Sequence, residues 1–140
     1  ETDLAVKLFS IAISRIRAIQ ENKHRAVLVP IPASTREKNR IRYEEFCRKL
    51  SADIGVADGY GVITLTADRP QLKGTHGQDK TANLQFHPEY FKDKCVLLID
   101  DLLTTGEGFI QTRRKLIEHG AKFVIGLFLA KTIAFEDEQK

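Results

Sequence analysis

The chain predicts an α/β fold, a central parallel sheet of four or five strands flanked by helices. Three observations predict it. Short apolar segments alternate along the chain with segments of helical period. The apolar segments are apolar throughout rather than at every second position, as strands covered on both faces are. The chain has 140 residues, 42% of them hydrophobic, which is enough for one domain with its own core. Residues 1–140 are therefore expected to form a single domain.

Residues 4–20 place Leu4, Leu8, Ile11, Ile16 and Ile19 near helical spacing, with Lys7, Arg15 and Arg17 between them, and predict an amphipathic helix packed on the core. Ala26 to Ile31 is a continuous aliphatic run, the first strand. Pro30 and Pro32 must lie near its end, because proline cannot donate to a central ladder. Tyr43 to Ile54 returns to helical period, and Gly55 suits its C-terminal cap. Gly61 to Thr66 reads as a second strand. The pattern then stops over Ala67 to Ala82 (ADRPQLKGTHGQDKTA), a long polar and basic loop of the kind that is functional or disordered. Cys95 to Ile99 is the third strand, Glu107 to His119 a helix with Gly120 at its end, and Lys122 to Ala130 the fourth strand. The charged tail FEDEQK is expected to fray.

The net charge of +3 is too small to argue for nucleic acid, which needs a clustered basic face. Cys47 and Cys95 are far apart and form no CxxC pair, so they read as free thiols in a reducing, cytoplasmic setting, without a zinc site. The longest apolar runs are too short to cross a bilayer, and no signal-peptide pattern opens the chain. A start at Glu1 and the lack of any methionine suggest a processed chain or an excised domain.

In parallel sheets ligands bind at the carboxyl ends of the strands. Three loops should meet there: 33–42, 67–82 and 100–108. The third belongs to the run VLLIDDLLTTGEGF, in which four aliphatics meet Asp100 and Asp101. Two carboxylates at a strand end, where the backbone can turn to bring both to one ligand, can accept hydrogen bonds from a diol such as a ribose, hold a metal through water, or stabilise positive charge on a sugar ring. From Leu103 to Gly108 the chain enters a helix. Successive N–H groups and the helix dipole make an anion site there, Thr104 and Thr105 add hydroxyls, and Gly106 permits close approach. Carboxylates for hydroxyls beside amides for a phosphate describe a sugar phosphate. The plainer alternative is two solvated aspartates and Thr105 as an N-cap.

The stretch from Cys95 to Gly106 resembles the ribose-phosphate signature of type I phosphoribosyltransferases: a hydrophobic strand, two acidic residues, two variable residues, then Thr/Ser-Thr/Gly-Gly. The family usually carries Thr or Ser where this chain has Gly108. PIPASTREKNRIRYEEFCRKLS and DRPQLKGTHGQDKTANLQF, in that order before the signature, are similar to the ComF-like branch of competence-associated phosphoribosyltransferases. The matching residues are Arg69, Gln71, Lys80 and Asn83, and the likeness spans residues 26–130. Many members also carry a cysteine-rich zinc module, which these 140 residues lack.

This resemblance implies the type I phosphoribosyltransferase fold with a small hood. It also implies binding of 5-phosphoribosyl-1-pyrophosphate (PRPP), or a ribose-5-phosphate nucleotide, and displacement of pyrophosphate by a nitrogenous acceptor. Asp100 and Asp101 would hold the ribose hydroxyls and stabilise charge at the reacting carbon. Leu103, Thr104, Thr105, Gly106, Glu107 and Gly108 would bind the 5′-phosphate. For the pyrophosphate, the loop 33–42 offers Ser34, Thr35, Arg36, Lys38, Arg40 and Arg42, with the backbone of Ala33, Ser34 and Thr35 preferred over the distal arginines. The loop 67–82 would close over the site, with Lys73, His76 and Lys80 as contacts and Gly74 and Gly77 as hinges. Mg²⁺ would bind through ligand and water, with no direct protein ligand. No membrane or nucleic-acid partner is expected, and a homodimer is left open. A second reading keeps the fold but not the chemistry, as a PRPP- or nucleotide-sensing module or a DNA-uptake accessory. A third is an unrelated α/β phosphatase or receiver domain.

Overall fold

The computed structural model describes residues 2–68, 79–103 and 106–131, with the last three positions of each of the two longest strands described by backbone alone. In chain order the elements are helix α1 (Thr2–Ser14), helix α2 (Arg17–Gln20), strand β1 (Ala26–Pro30), helix α3 (Arg36–Ile54), strands β2 (Ala57–Asp58), β3 (Ile63–Leu65) and β4 (Leu84–Phe86), strand β5 (Cys95–Leu103), helix α4 (Glu107–Glu118) and strand β6 (Phe123–Lys131).

The α/β fold is present. Four parallel strands in the order β2-β1-β5-β6 make the central sheet, with β1 and β5 at its middle. Alternation along each strand splits the core in two. Leu28, Leu97 and Ile99 face α1 and α3, packing with Phe9, Ile13, Phe46 and Leu50. Val27, Val29, Val96 and Leu98 face the opposite layer, with Phe91, Leu116 and Ile63. Every residue of β1 and the first five of β5 are buried, which is why both strands read as unbroken apolar runs.

Several boundaries differ from the expected ones. The strand expected at 61–66 is not in the central sheet: Ile63–Leu65 pairs antiparallel with Leu84–Phe86 in a separate two-stranded ribbon. Its burial alternates, with Ile63 and Leu65 inside and Thr64 exposed, as a half-covered strand requires. The partner of β1 is instead the two-residue strand Ala57–Asp58. The helix expected over 4–20 breaks at Arg15–Ile16, where Ile16 is extended and Arg17 starts a new turn. Its buried stripe is Val6, Phe9 and Ile13, with Phe9 edge-on to Phe46 at 5.5 Å; the expected Leu4, Leu8 and Ile11 are 61%, 47% and 47% exposed. The two stripes interleave at helical spacing, and packing against α3 selects one.

Helix α3 begins seven residues before the expected Tyr43. Thr35 is extended and its hydroxyl caps the Lys38 N–H at 3.1 Å, and the Glu37–Arg40 ion pair at 2.8 Å supports the first turn. The C-terminal cap at Gly55 is as expected, in the left-handed region at φ 76°. Strand β5 runs four residues past Ile99 because β6 keeps pairing with it as far as Leu103 and Lys131. Among the described residues no helix is long and apolar enough to cross a membrane.

Cys47 and Cys95 are free and buried. Burial pushes both thiols up, Cys95 to about 11 and Cys47 higher still, with Asp58 adding to the effect at Cys47. In the unfolded chain a thiol ionises near about 8.5. The folded thiols therefore keep protons that the unfolded chain loses, and this part of the stability is intact below that value and lost as pH rises through it. Urea midpoints measured between about pH 7.5 and 9.5 should fall for the parent and fall less for the Cys47→Ala/Cys95→Ala variant.

Candidate functional site

In the order β2-β1-β5-β6 the connections leaving β1 and β5 run to opposite sides, to β2 and to β6, so the crevice of the sheet lies between the carboxyl ends of those two strands. The pairing Pro30↔Ile99 ends the β1 ladder one residue before Asp100, and the Ile31 N–H donates to the Ile99 carbonyl at 2.8 Å. The loop after β1 thus leaves the sheet immediately beside Asp100. This loop is shorter than expected: with α3 starting at Arg36, the expected 33–42 segment is a loop only through Thr35, and Arg36, Lys38, Arg40 and Arg42 stand on a helix.

Asp100 is half-buried and accepts a 2.8 Å hydrogen bond from the Tyr43 phenol, whose ring is buried in the α3-side core. Asp101 and Leu103 lie within the regular strand, so the chain does not turn at the aspartates as expected but continues as β5 through Leu103. Thr104 and Thr105 lie outside the described residues. Gly106 follows in the left-handed region, φ 85°, as the residue before α4, and no side chain caps the helix there. Glu107 and Gly108 open α4. A left-handed residue here is inexpensive only for glycine.

The loop after β1 is built by α3. The buried Asn39 side chain accepts the Ala33 N–H through Oδ1 at 2.9 Å, and Thr35 serves as the cap, with Ser34 half-buried between them. Arg36 ties this corner to the β3–β4 ribbon. Its N–H donates to Asp68 Oδ1 at 3.0 Å, Nε to the Leu65 carbonyl at 3.1 Å and a terminal nitrogen to the Thr66 carbonyl at 2.6 Å.

The segment 69–78, which contains Arg69, Gln71, Lys73, Gly74, His76 and Gly77, lies outside the described residues. Both of its roots are anchored. On one side Arg36 holds 65–68. On the other, the Asp79 carboxylate accepts from the Thr81 hydroxyl at 2.6 Å and the Thr81 N–H at 2.9 Å, which hold it below the usual carboxylate range. The Lys80 N–H donates to Gln111 Oε1 on α4 at 2.7 Å, and a Cβ placed on Gly108 would sit 3.9 Å from Lys80 Cδ. Lys80 is thereby brought to the first turn of α4. Asn83 is bonded to Ala67, between the two roots.

Asp100, Gly106, Gly108, Lys80 and the Ala33–Thr35 loop therefore gather at one end of the sheet. Sequence reasoning missed three residues that position them. Tyr43 was read only as the start of a helix, Asn39 only as part of a basic run, and Gln111 was not singled out within the helix expected over Glu107 to His119. A polar, weakly helix-forming Asn in a first turn was the one available signal. Among the described residues no group of three or more His, Cys, Asp or Glu could hold a metal ion. The chain matches no protein-family model and no curated protein.

Proposed function

We propose that the protein is a phosphoribosyltransferase-like protein of the type I fold, binding PRPP between the carboxyl ends of β1 and β5. The observation that carries this reading is the position of VLLIDDLLTTGEGF: it supplies a middle strand of the sheet and the following helix start, directly beside the loop from β1. The acidic pair at positions 100 and 101 would hold the ribose hydroxyls. The backbone around Gly106 to Gly108, at the positive end of α4, would hold the 5′-phosphate. The amides of Ala33 to Thr35 and the Lys80 ammonium would contact the pyrophosphate, together with Lys73.

In the transfer, the acceptor nitrogen forms a bond to C1 as the C1–oxygen bond to pyrophosphate breaks. The electron pair leaves with pyrophosphate, and the acceptor's proton passes to solvent. Asp100, steadied by Tyr43, would stabilise the positive charge that develops on the sugar. Mg²⁺ accompanying PRPP would supply charge neutralisation on the leaving pyrophosphate. The chain's own part is positioning and electrostatics.

Gly108 favours a second reading, a PRPP- or nucleotide-sensing module or a DNA-uptake accessory, since a hydroxyl is missing where phosphate would bind. Calorimetric titration of PRPP with Mg²⁺, followed by assay of pyrophosphate release with a panel of nucleobases, separates the two. Binding with release supports the transferase, binding without release for any base supports the sensor, and no binding rejects both.

A further inference from the structure

Helix α4 carries a groove of about 470 Å³ along its length, lined by Phe109, Ile110, Arg113, Arg114, Ile117 and Glu118. Its chemistry is mixed. Ile110 is 52% and Ile117 39% exposed, one pair of turns apart on the same face, while Thr112 and Leu116 hold the opposite face to the sheet. Arg113 and Arg114 lie between the two isoleucines and are exposed. The ion pairs among the described residues leave both guanidinium groups unused. An occupant must therefore bring apolar side chains and carboxylates together.

A second copy of the groove does not fit. Across a two-fold axis the same patch meets itself, and the two arginines at its middle would face two more. A nucleic acid fits poorly as well, since a phosphate backbone has nothing to cover Ile110 and Ile117. The chain's own residues 132–140, TIAFEDEQK, have the matching order: Ile133 and Phe135, then Glu136, Asp137 and Glu138. These residues lie outside the described ones, but the point they leave from is fixed. Strands β5 and β6 are parallel and α4 connects them, so α4 starts at their carboxyl ends and runs back along the sheet. Lys131, the last residue of β6, pairs with Leu103 of β5, three residues before Gly106. The first turn of α4 is seated on β6 close by, with the Phe109 ring edge-on to Phe128 at 5.3 Å. From Gly106 to Arg114 the helix rises about 12 Å. The step from Lys131 to Glu136 spans up to about 16 Å when extended, so the acids reach the arginines.

We propose that the acidic segment 133–138 docks in this groove of its own chain, with Ile133 and Phe135 on the exposed isoleucines and the three carboxylates on Arg113 and Arg114. Surface ion pairs are individually weak, but the tether holds the segment at high effective concentration, so weak contacts suffice. The docking is independent of PRPP binding.

The test uses the full chain carrying Gln139→Cys. Cys47 and Cys95 are buried, so a nitroxide label attaches at the new thiol. The amide signals of Ile110, Arg113, Arg114 and Ile117 should lose intensity compared with the same sample after reduction of the nitroxide, and those of α3, on the other face of the sheet, should not. The loss should disappear in 1 M salt, where the screening length is about 3 Å. It should also disappear in Arg113→Glu/Arg114→Glu and return when Glu136→Arg, Asp137→Arg and Glu138→Arg are added. Melting temperatures should match the parent, since every altered side chain that the structure describes is exposed. No loss at α4, or a loss that survives both salt and charge reversal, overturns the proposal. A loss of the same size in isotope-labelled chains without nitroxide, mixed with nitroxide-bearing chains, also overturns it, because the segment would then sit on a second copy.

Discussion

Replacing Asp100 and Asp101 together by asparagine should weaken PRPP binding by about 100-fold while leaving the protein folded. A hydrogen bond to a charged group contributes about 1.5–3 kcal/mol, and each 1.4 kcal/mol or so is tenfold in affinity. Asparagine leaves a neutral acceptor worth about 0.5–1.5 kcal/mol, so removing the charge from two carboxylates that would each grip a ribose hydroxyl costs about 1–1.5 kcal/mol apiece, roughly 100-fold together. Asparagine keeps an acceptor of the same shape, so the Tyr43 phenol retains its partner at position 100 and the carboxyl end of β5 keeps its place. Tyr43→Phe should cost less, about tenfold at most, because it removes one neutral donor that only steadies the carboxylate. Calorimetry gives the affinities and thermal melts report the fold. A double variant that binds PRPP like the parent, at an unchanged melting temperature, would remove the acidic pair from the site.

The acidic pair was legible because its setting is a matter of sequence. A strand covered on both faces leaves no alternation to hide the point where charge begins, so β1, β5 and β6 stood out together with the residues just beyond them. β2 was invisible for the opposite reason: Ala57 and Asp58 are exposed, two residues long, and strands only because β1 lies next to them. Ile63 to Leu65 read as a strand but was assigned to the wrong sheet, although the exposed Thr64 between two buried neighbours was the sign of a half-covered ribbon. In α1 two apolar stripes compete, and nothing local distinguishes Leu4, Leu8 and Ile11 from Val6, Phe9 and Ile13; contact with Phe46 decides. The supporting roles of Asn39, Tyr43 and Gln111 depend on which way a helix faces after it has packed, and no spacing in the sequence encodes that.

Gly59→Val should be among the most destabilising single substitutions in the chain, costing about 2–4 kcal/mol. A Cβ on Gly59 would sit 2.4 Å from the Leu28 carbonyl oxygen, 2.7 Å from Val27 Cγ2 and 3.0 Å from Val29 Cγ2. These atoms belong to β1, which is fully buried and held between β2 and β5, so the neighbour is backbone that cannot turn aside. Overpacking alone costs about 1–3 kcal/mol. Pushing residue 59 away also breaks its 2.7 Å hydrogen bond to Leu28 and threatens the two-residue pairing that holds β2 to the sheet, adding about 1 kcal/mol or more. The total is a large part of the 5–15 kcal/mol that typically holds a domain together. Gly61→Val is the matched control. It lies two residues along in the same turn, faces open space, and should stay within about 0.5 kcal/mol of the parent. Urea midpoints of the two variants separate lack of room from any general demand for glycine in this turn. If Gly59→Val proved as stable as Gly61→Val, the β1–β2 edge would have slack and the close approach of Gly59 to Leu28 would not be what fixes this turn.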